Sequence, residues 1–171
     1  MARAGSSTKS AAESPVSSRP VALGYGFPSA AEGLLPWKWA EKRLVESHNY
    51  WFVSVRPDDA PHAMPIWGIW VDQRFYFSTG GKSRKAKNLA RNRKCVVCTE
   101  KAHEAVIVEG IAAPINDKKL IARVAPYYHK KYTPWKLDPK MGPIFEVRPQ
   151  VAFAMYEKKF AETATKWEWK S

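Results

Sequence analysis

Along the middle of this chain, aromatic and β-branched residues fall in short runs divided by tight turns. That spacing constrains the fold more than any other feature. Residues 50–56 (YWFVSVR) read as a strand, Pro57-Asp58-Asp59-Ala60-Pro61 as a turn, and residues 62–71 (HAMPIWGIWV) as a longer strand. Asp72-Gln73 is a second tight turn, leading into a strand over 74–79. Further strands are expected over 95–100, 104–113, 144–148 and 151–156, with a terminal TATKWEWK. Helical patterns are fewer. Residues 35–48 place Pro36 in a first turn and align Trp37, Ala40, Leu44 and Val45 in one apolar stripe. Residues 83–91 form a short basic helix, and residues 116–129 a helix expected to end or kink before Pro126. The pattern predicts a mainly β (α+β) fold, an antiparallel β-barrel or rolled sheet with peripheral helices. No βαβ alternation and no GxGxxG after a strand is present, which argues against a dinucleotide-binding parallel sheet.

The length of 171 residues fits one domain plus a modest tail, with residues 1–33 read as flexible and residues 34–171 as the folded body. No apolar run reaches the roughly 20 residues a membrane helix needs. The first residues, MARAGSSTKSAAESPVSSRP, lack the apolar stretch of a secretion signal, so a cytoplasmic location is expected. Cys95 and Cys98 form a CVVC sequence inside an apolar run. In a strand, residues three apart point to opposite faces, so two buried small hydrophobes fit better than a redox or metal pair.

The net charge of +12 belongs to the body, because the first 35 residues hold three Lys/Arg against two Asp/Glu. Such a body attracts an anion: nucleic acid, an acidic surface, or a phosphorylated small molecule. Eight tryptophans beside that charge suit a base or a planar cofactor equally.

The stretch STGGKSRKAKNLARN, from Ser78 to Asn92, concentrates the charge where it is least expected. Ser83 is a good N-cap, yet Arg84, Lys85 and Lys87 crowd the positive end of the helix dipole. That repulsion is a few tenths of a kcal/mol per cation. One charge-assisted hydrogen bond contributes roughly 1.5–3 kcal/mol, so a bound phosphate would reverse the sign. The free amides of the first turn favour an anion too, and Gly80 and Gly81 leave room for the loop to close on one. The bland alternative is a solvated charged helix face. Pro65 and Gly68 are likewise abnormal for a central strand, and mark either an edge strand or bulge, or a stretch against which a ligand lies.

Together, RPDDAPHAMPIWGIWVDQRFYFSTGGKSRKAKNLARN resembles the flavin-binding split β-barrel of the pyridoxamine 5′-phosphate oxidase-like superfamily, which includes flavin reductases and deazaflavin-dependent reductases. SRKA at Ser83–Ala86 is similar to the oxidase's phosphate-binding segment, and KNL continues as in the deazaflavin branch. The resemblance covers the chain from about Leu34 to Trp169. It implies a split antiparallel β-barrel that binds FMN at a homodimer interface and passes hydride to or from a small organic substrate. By the same resemblance, His62 to Trp67 run beside the isoalloxazine ring, with Met64, Pro65 and Ile66 reading its polar edge through backbone groups. Ser78 and Thr79 meet the ring or ribityl chain. Ser83, Arg84 and Lys85 hold the phosphate, with Lys87 and Asn88 in support. Lys166 and Trp167 close the pocket, Lys166 standing where the family often carries Arg. The oxidase's C-terminal pattern for pyridoxal phosphate is not visible, which counts against vitamin B6 oxidation. No side chain stands out as an essential acid or base; His62 is the nearest candidate, and a structural role suits it as well.

Two other readings follow from the same residues. One keeps the fold and reaction class but takes a long-tailed deazaflavin coenzyme, its acidic tail met by Lys82, Lys87 and Arg91. The other is a non-enzymatic nucleic-acid-binding β-barrel, suggested by charge and aromatic content. Against it, the cations cluster at one turn and the strands lack an RNA-binding aromatic motif. For haem, no convincing axial ligand emerges among His48, His62, His103 and His129.

Overall fold

The structure, a computed structural model, describes residues 14–21, 24–29 and 31–170. Its centre is a nine-stranded antiparallel sheet. β1 (Val16–Ser18), β9 (Thr165–Glu168), β8 (Ile144–Ala154), β7 (Val106–Ile115), β6 (Lys94–Thr99), β2 (Tyr50–Val55) and β3 (Pro61–Ile66) lie side by side in that order. The hairpin of β4 (Ile69–Val71) and β5 (Arg74–Ser78) joins through β5 to β8. β8 is the strand that rolls the sheet into a barrel. One edge pairs with β7 along its whole length; the other pairs with β5 over Ile144 to Val147 and with β9 over Val151 to Ala154. On the far side β3 pairs with β2 and β4 pairs with β5, so the barrel is split between β3 and β4.

The period-two pattern of β2 explains which face is the core. Tyr50, Phe52 and Ser54 are buried and alternate with Trp51, Val53 and Val55 on the outer face. α1 (Trp37–Glu46) covers one opening with buried Ala40 and Leu44, and with Trp37 packed edge-on to Trp167 and Trp169. α3 (Lys118–Tyr132) buries Val124, Tyr128 and Tyr132 in a second cluster with Ile69, Val71 and Tyr76. No helix among the described residues is long and apolar enough to cross a membrane.

Four sequence expectations need correction. Residues 62–71 do not form one strand: the chain breaks at Trp67-Gly68, where a Cβ on Gly68 would lie 2.1 Å from the Phe75 ring. Residues 144–156 do not form two strands, because β8 continues past Pro149; it takes up the irregularity as a bulge at Gln150, which has no partner on β7 because Glu109 pairs with Val151 and Gly110 with Pro149. α3 does not stop before Pro126, since its buried tyrosines anchor the turns beyond the proline and offset the lost hydrogen bond. The stretch 1–33 is not free throughout: β1 pairs with β9, and the Arg19 guanidinium donates to the carbonyls of Glu32, Glu162 and Ala164. Residues 1–13 lie outside the described residues.

The cysteines follow the strand geometry. Cys95 is buried, Cys98 on the opposite face is half-buried, and both are free thiols. Burial pushes the Cys95 thiol up to about 12 and raises that of Cys98, so neither is a ready thiolate.

Candidate functional site

β5 ends at Ser78, and the chain turns through Thr79, Gly80 and Gly81 into α2 (Arg84–Arg91). Ser83 caps that helix: its Oγ accepts from the Ala86 amide at 3.2 Å and lies 3.1 Å from Thr79 Oγ1. The Lys87 amide bonds to the Ser83 carbonyl at 3.1 Å, leaving the amides of Arg84 and Lys85 as the turn's remaining donors. A loop from the other half of the chain braces the turn. Pro143 O accepts from Ser78 Oγ and from the Thr79 amide, both at 3.3 Å, and Gly142 packs so closely on Thr79 that a Cβ there would lie 2.3 Å from Thr79 O. Gly80 and Gly81 face open space and ordinary contact, so the protein's own packing does not require glycine at either position.

The inner face of α2 is tied to the barrel by a buried polar pair. Asn88 and Ser54 are each 1% exposed, and Asn88 Nδ2 donates to Ser54 Oγ at 2.9 Å. This bond fixes the helix on β2, while Leu89 enters the core. Ser54 pairs in register with His62 on β3, so His62 stands on the same face, beside the start of α2. Its Nδ1 is screened from solvent and has no hydrogen-bond partner among the described residues. Desolvation lowers the His62 pKa, and the neighbouring charges of Arg84, Lys85 and Arg56 lower it further. Burial also lowers that of Lys85. Arg84, Lys85 and Lys87 form no ion pair among the described residues, whereas Arg43, Arg56 and Arg74 do. A screened imidazole nitrogen, two first-turn amides and cations without an ion pair among the described residues are thus gathered around the start of α2, a set of groups that favours an anion.

The other expected site residues separate into two groups. Met64 and Pro65 are exposed on β3, which is an edge strand and therefore tolerates the proline; Ile66 is buried. Trp67 stacks on Tyr132 with ring centroids 5.0 Å apart and an interplanar angle of 10°. Lys166 and Trp167 are elsewhere. Trp167 is a core residue against Trp37, and Lys166 forms an ion pair with Glu168 at 2.8 Å. Among the described residues no hydrogen bond or ion pair joins Lys166 or Trp167 to the α2 turn, although Trp167 and Leu89 share the core.

Sequence reasoning missed the residues that hold the β3–β4 break. Tyr132 Oη lies 3.0 Å from the Gly68 amide nitrogen and 2.8 Å from its carbonyl oxygen, and Lys131 Nζ donates to Gly68 O, Val45 O and Tyr50 Oη. Burial draws the Lys131 pKa down to about 8. The helix expected over 116–129 ends short of Lys131 and Tyr132, and only the tertiary fold reveals their use. No group of His, Cys, Asp and Glu among the described residues could hold a metal ion.

Comparison with known proteins agrees with this architecture. No curated protein matches the sequence. Among solved structures, the fold is similar to a putative 5-nitroimidazole antibiotic resistance protein from Bacteroides thetaiotaomicron (12% identity, 77% of this chain and 84% of that one, TM-score 0.62). It is also similar to an F420 reductase (20% identity, 66% and 94%, TM-score 0.51). A third similar structure is the heme storage protein HutZ from Vibrio cholerae (13% identity, 69% and 91%, TM-score 0.55). At these identities the likeness is one of fold. The family profile described as pyridoxamine 5′-phosphate oxidase matches residues 39–166. With three quarters of its length under that profile and a split barrel in its structure, the chain belongs to the pyridoxamine 5′-phosphate oxidase-like family.

Proposed function

We propose that this protein is a flavin-dependent oxidoreductase that binds FMN with its phosphate at the start of α2. The carrying observation is the cationic turn of Arg84 and Lys85, without an ion pair among the described residues, beside His62 Nδ1, which has no hydrogen-bond partner among them. A phosphate there meets the free amides of residues 84 and 85 and the Arg84 fork, with Lys87 nearby. When bound, the flavin supplies a ring that accepts or gives a hydride, and the protein supplies orientation and electrostatics. The residues present fit that division of labour. Ser83 and Thr79 hold the turn in shape, Asn88 and Ser54 lock α2 against β2, and exposed backbone at Met64 and Pro65 is available to the ring edge. Positive charge from α2 favours an anionic reduced ring.

The pocket is completed in this reading by a second copy of the chain. The outer sheet face supports a homodimer: Pro65, Trp51, Cys98, Ile107 and Phe153 stand opposite one another across five strands as one apolar row. Trp51 within that row is 49% exposed in the single chain. A large exposed apolar patch is a docking surface, and a partner seated on it could bring its own C-terminal strand to the site.

The deazaflavin reading rests on the exposed cations Lys82, Lys87 and Arg91 on and around α2, and on the likeness to an F420 reductase. Purified protein should be yellow, with a flavin spectrum and FMN identified in the released chromophore by mass spectrometry. The double variant Arg84→Ala/Lys85→Ala should lose the chromophore while remaining folded. A colourless protein whose melting temperature is raised by neither FMN nor a deazaflavin would refute the proposal. Clearly tighter binding of the deazaflavin would transfer it to that cofactor.

A further inference from the structure

β4 has one edge on β5, and the other pairs with no strand among the described residues. That second edge faces a cavity of about 480 Å³, reached by Val45 within the end of α1 and His48 just after it, by Trp70, and by Tyr127, Lys130 and Lys131 of α3. α1 and α3 lie on opposite faces of β4: Trp70 packs against Trp37, whereas Ile69 and Val71 cluster with Val124 and Tyr128. The cavity thus occupies the position of one more strand, sandwiched between two helices.

The backbone directions follow from the hairpin. Asp72 and Gln73 both have positive φ, at 50° and 57°, the geometry of a two-residue turn. Val71 and Arg74, which flank the turn, form the hydrogen-bonded pair, so Trp70 and Phe75 form the next, non-bonded pair. The N–H and C=O of Trp70 therefore point away from β5. Gly68, two residues earlier, points the same way, and its two groups are satisfied by Tyr132 and Lys131 of α3. No such side chain reaches Trp70, whose backbone groups have no partner among the described residues although the residue is only 5% exposed. Buried backbone donors and acceptors are nearly always paired. The side chains on α3 imitate a strand at Gly68 and stop short of the next position.

We propose that this edge takes up an extended acidic peptide segment of another protein as an added strand, the residue opposite Trp70 exchanging both backbone hydrogen bonds with it. The sign of the charge follows from the rim. Lys130 is exposed and forms no ion pair among the described residues, while the carboxylate of Glu46 is matched by Lys42 at 3.8 Å. Val45 and Tyr127, 50% and 55% exposed, offer apolar contact to side chains alternating along the segment. The basic composition of residues 1–13, with Arg3 and Lys9 against Glu13, makes the chain's own beginning a poorer match.

Nitrogen-15-labelled full-length protein would be titrated with three peptides: acetyl-EVVVE-amide, acetyl-KVVVK-amide and acetyl-EVPVE-amide. The first should shift the Trp70 amide saturably and slow its exchange with solvent. The lysine peptide should bind about tenfold more weakly through charge mismatch. The proline peptide, which lacks the central donor, should bind more weakly as well. Lys130→Glu, an exposed change, should weaken the first peptide about tenfold and leave the remaining spectrum unchanged. Equal affinity for all three peptides, or shifts that avoid Trp70, or no shift up to about 1 mM, would overturn the proposal. Binding that appears only after residues 1–13 are deleted would assign the cavity to the chain's own segment and overturn it equally.

Discussion

Tyr132 engages both backbone polar groups of Gly68, its Oη 3.0 Å from the amide nitrogen and 2.8 Å from the carbonyl oxygen. The hydroxyl has one proton to donate, and His48 O stands 2.7 Å away as an alternative acceptor; Lys131 then serves Gly68 O. The break between β3 and β4 is therefore held from α3, 64 residues later in the chain.

Replacing Tyr132 by Phe keeps the ring stacked on Trp67 and removes only the oxygen. The Gly68 amide then loses its acceptor in a buried place, which costs about 1–3 kcal/mol. Urea denaturation should show that loss as a lower midpoint with an unchanged slope. A midpoint equal to that of wild type would mean that water reaches Gly68.

Lys131 gives a pH signature. Its pKa is about 8 in the folded protein against 10.5 ordinarily, so between those values the unfolded chain binds more protons than the folded one. Its contribution to stability therefore rises as pH increases from about 8 towards 10.5, and is lost as pH falls through about 8. Burial raises the Tyr50 and Tyr132 phenols beyond this window, so they stay neutral within it when folded. Glu100 opposes the Lys131 shift by favouring its charged form. The stability of wild type relative to Lys131→Met should increase from pH 7.5 through pH 9.5, as read from paired urea curves; a flat difference would contradict the burial of this amine.

His62 should report an anion at the α2 turn. In the free protein its pKa lies below the usual histidine value, through desolvation and then through Arg84, Lys85 and Arg56. A phosphate between these groups offsets the cations, so addition of FMN should move the imidazole titration upward in NMR. An unmoved titration with FMN bound would separate His62 from the phosphate.

Trp51 tests the outer sheet face. Trp51→Glu places a charge in the row formed with Pro65, Cys98, Ile107 and Phe153, without touching the core on the other side of β2. Sedimentation should show a dimer for wild type and mostly monomer for the variant, with cofactor retention reduced alongside. A variant that remains dimeric would place the interface elsewhere.

Most of the strand pattern was legible because period-two burial and turn chemistry are local. The turn at Asp72-Gln73, the cap at Ser83 and the opposite-facing cysteines all follow from residues within a few positions of one another. The failures share one cause. Pro149 and Pro126 look like breaks in isolation, but a bulge beside the first, at Gln150, lets β8 stay paired with β7, and buried tyrosines anchor the helix past the second. At the site, the charge of Arg84 and Lys85 could be read directly. The bracing of Thr79 by Pro143, and the grip of Lys131 on Gly68, join residues more than 60 apart and leave no local trace.

The double pairing of β8 sets the order in which a ribosome can complete this protein. The hairpin ending at Ser78 finds its second neighbour only after residues 144–147 have been made, as with Tyr76 and Glu146, 70 positions apart. Until then Phe75 and Phe77 have no closed interior to enter. Long-range pairing of this kind slows folding, so a nascent chain halted before residue 144 presents an aromatic hairpin to whatever is nearby, and chaperone occupancy should fall once that strand emerges.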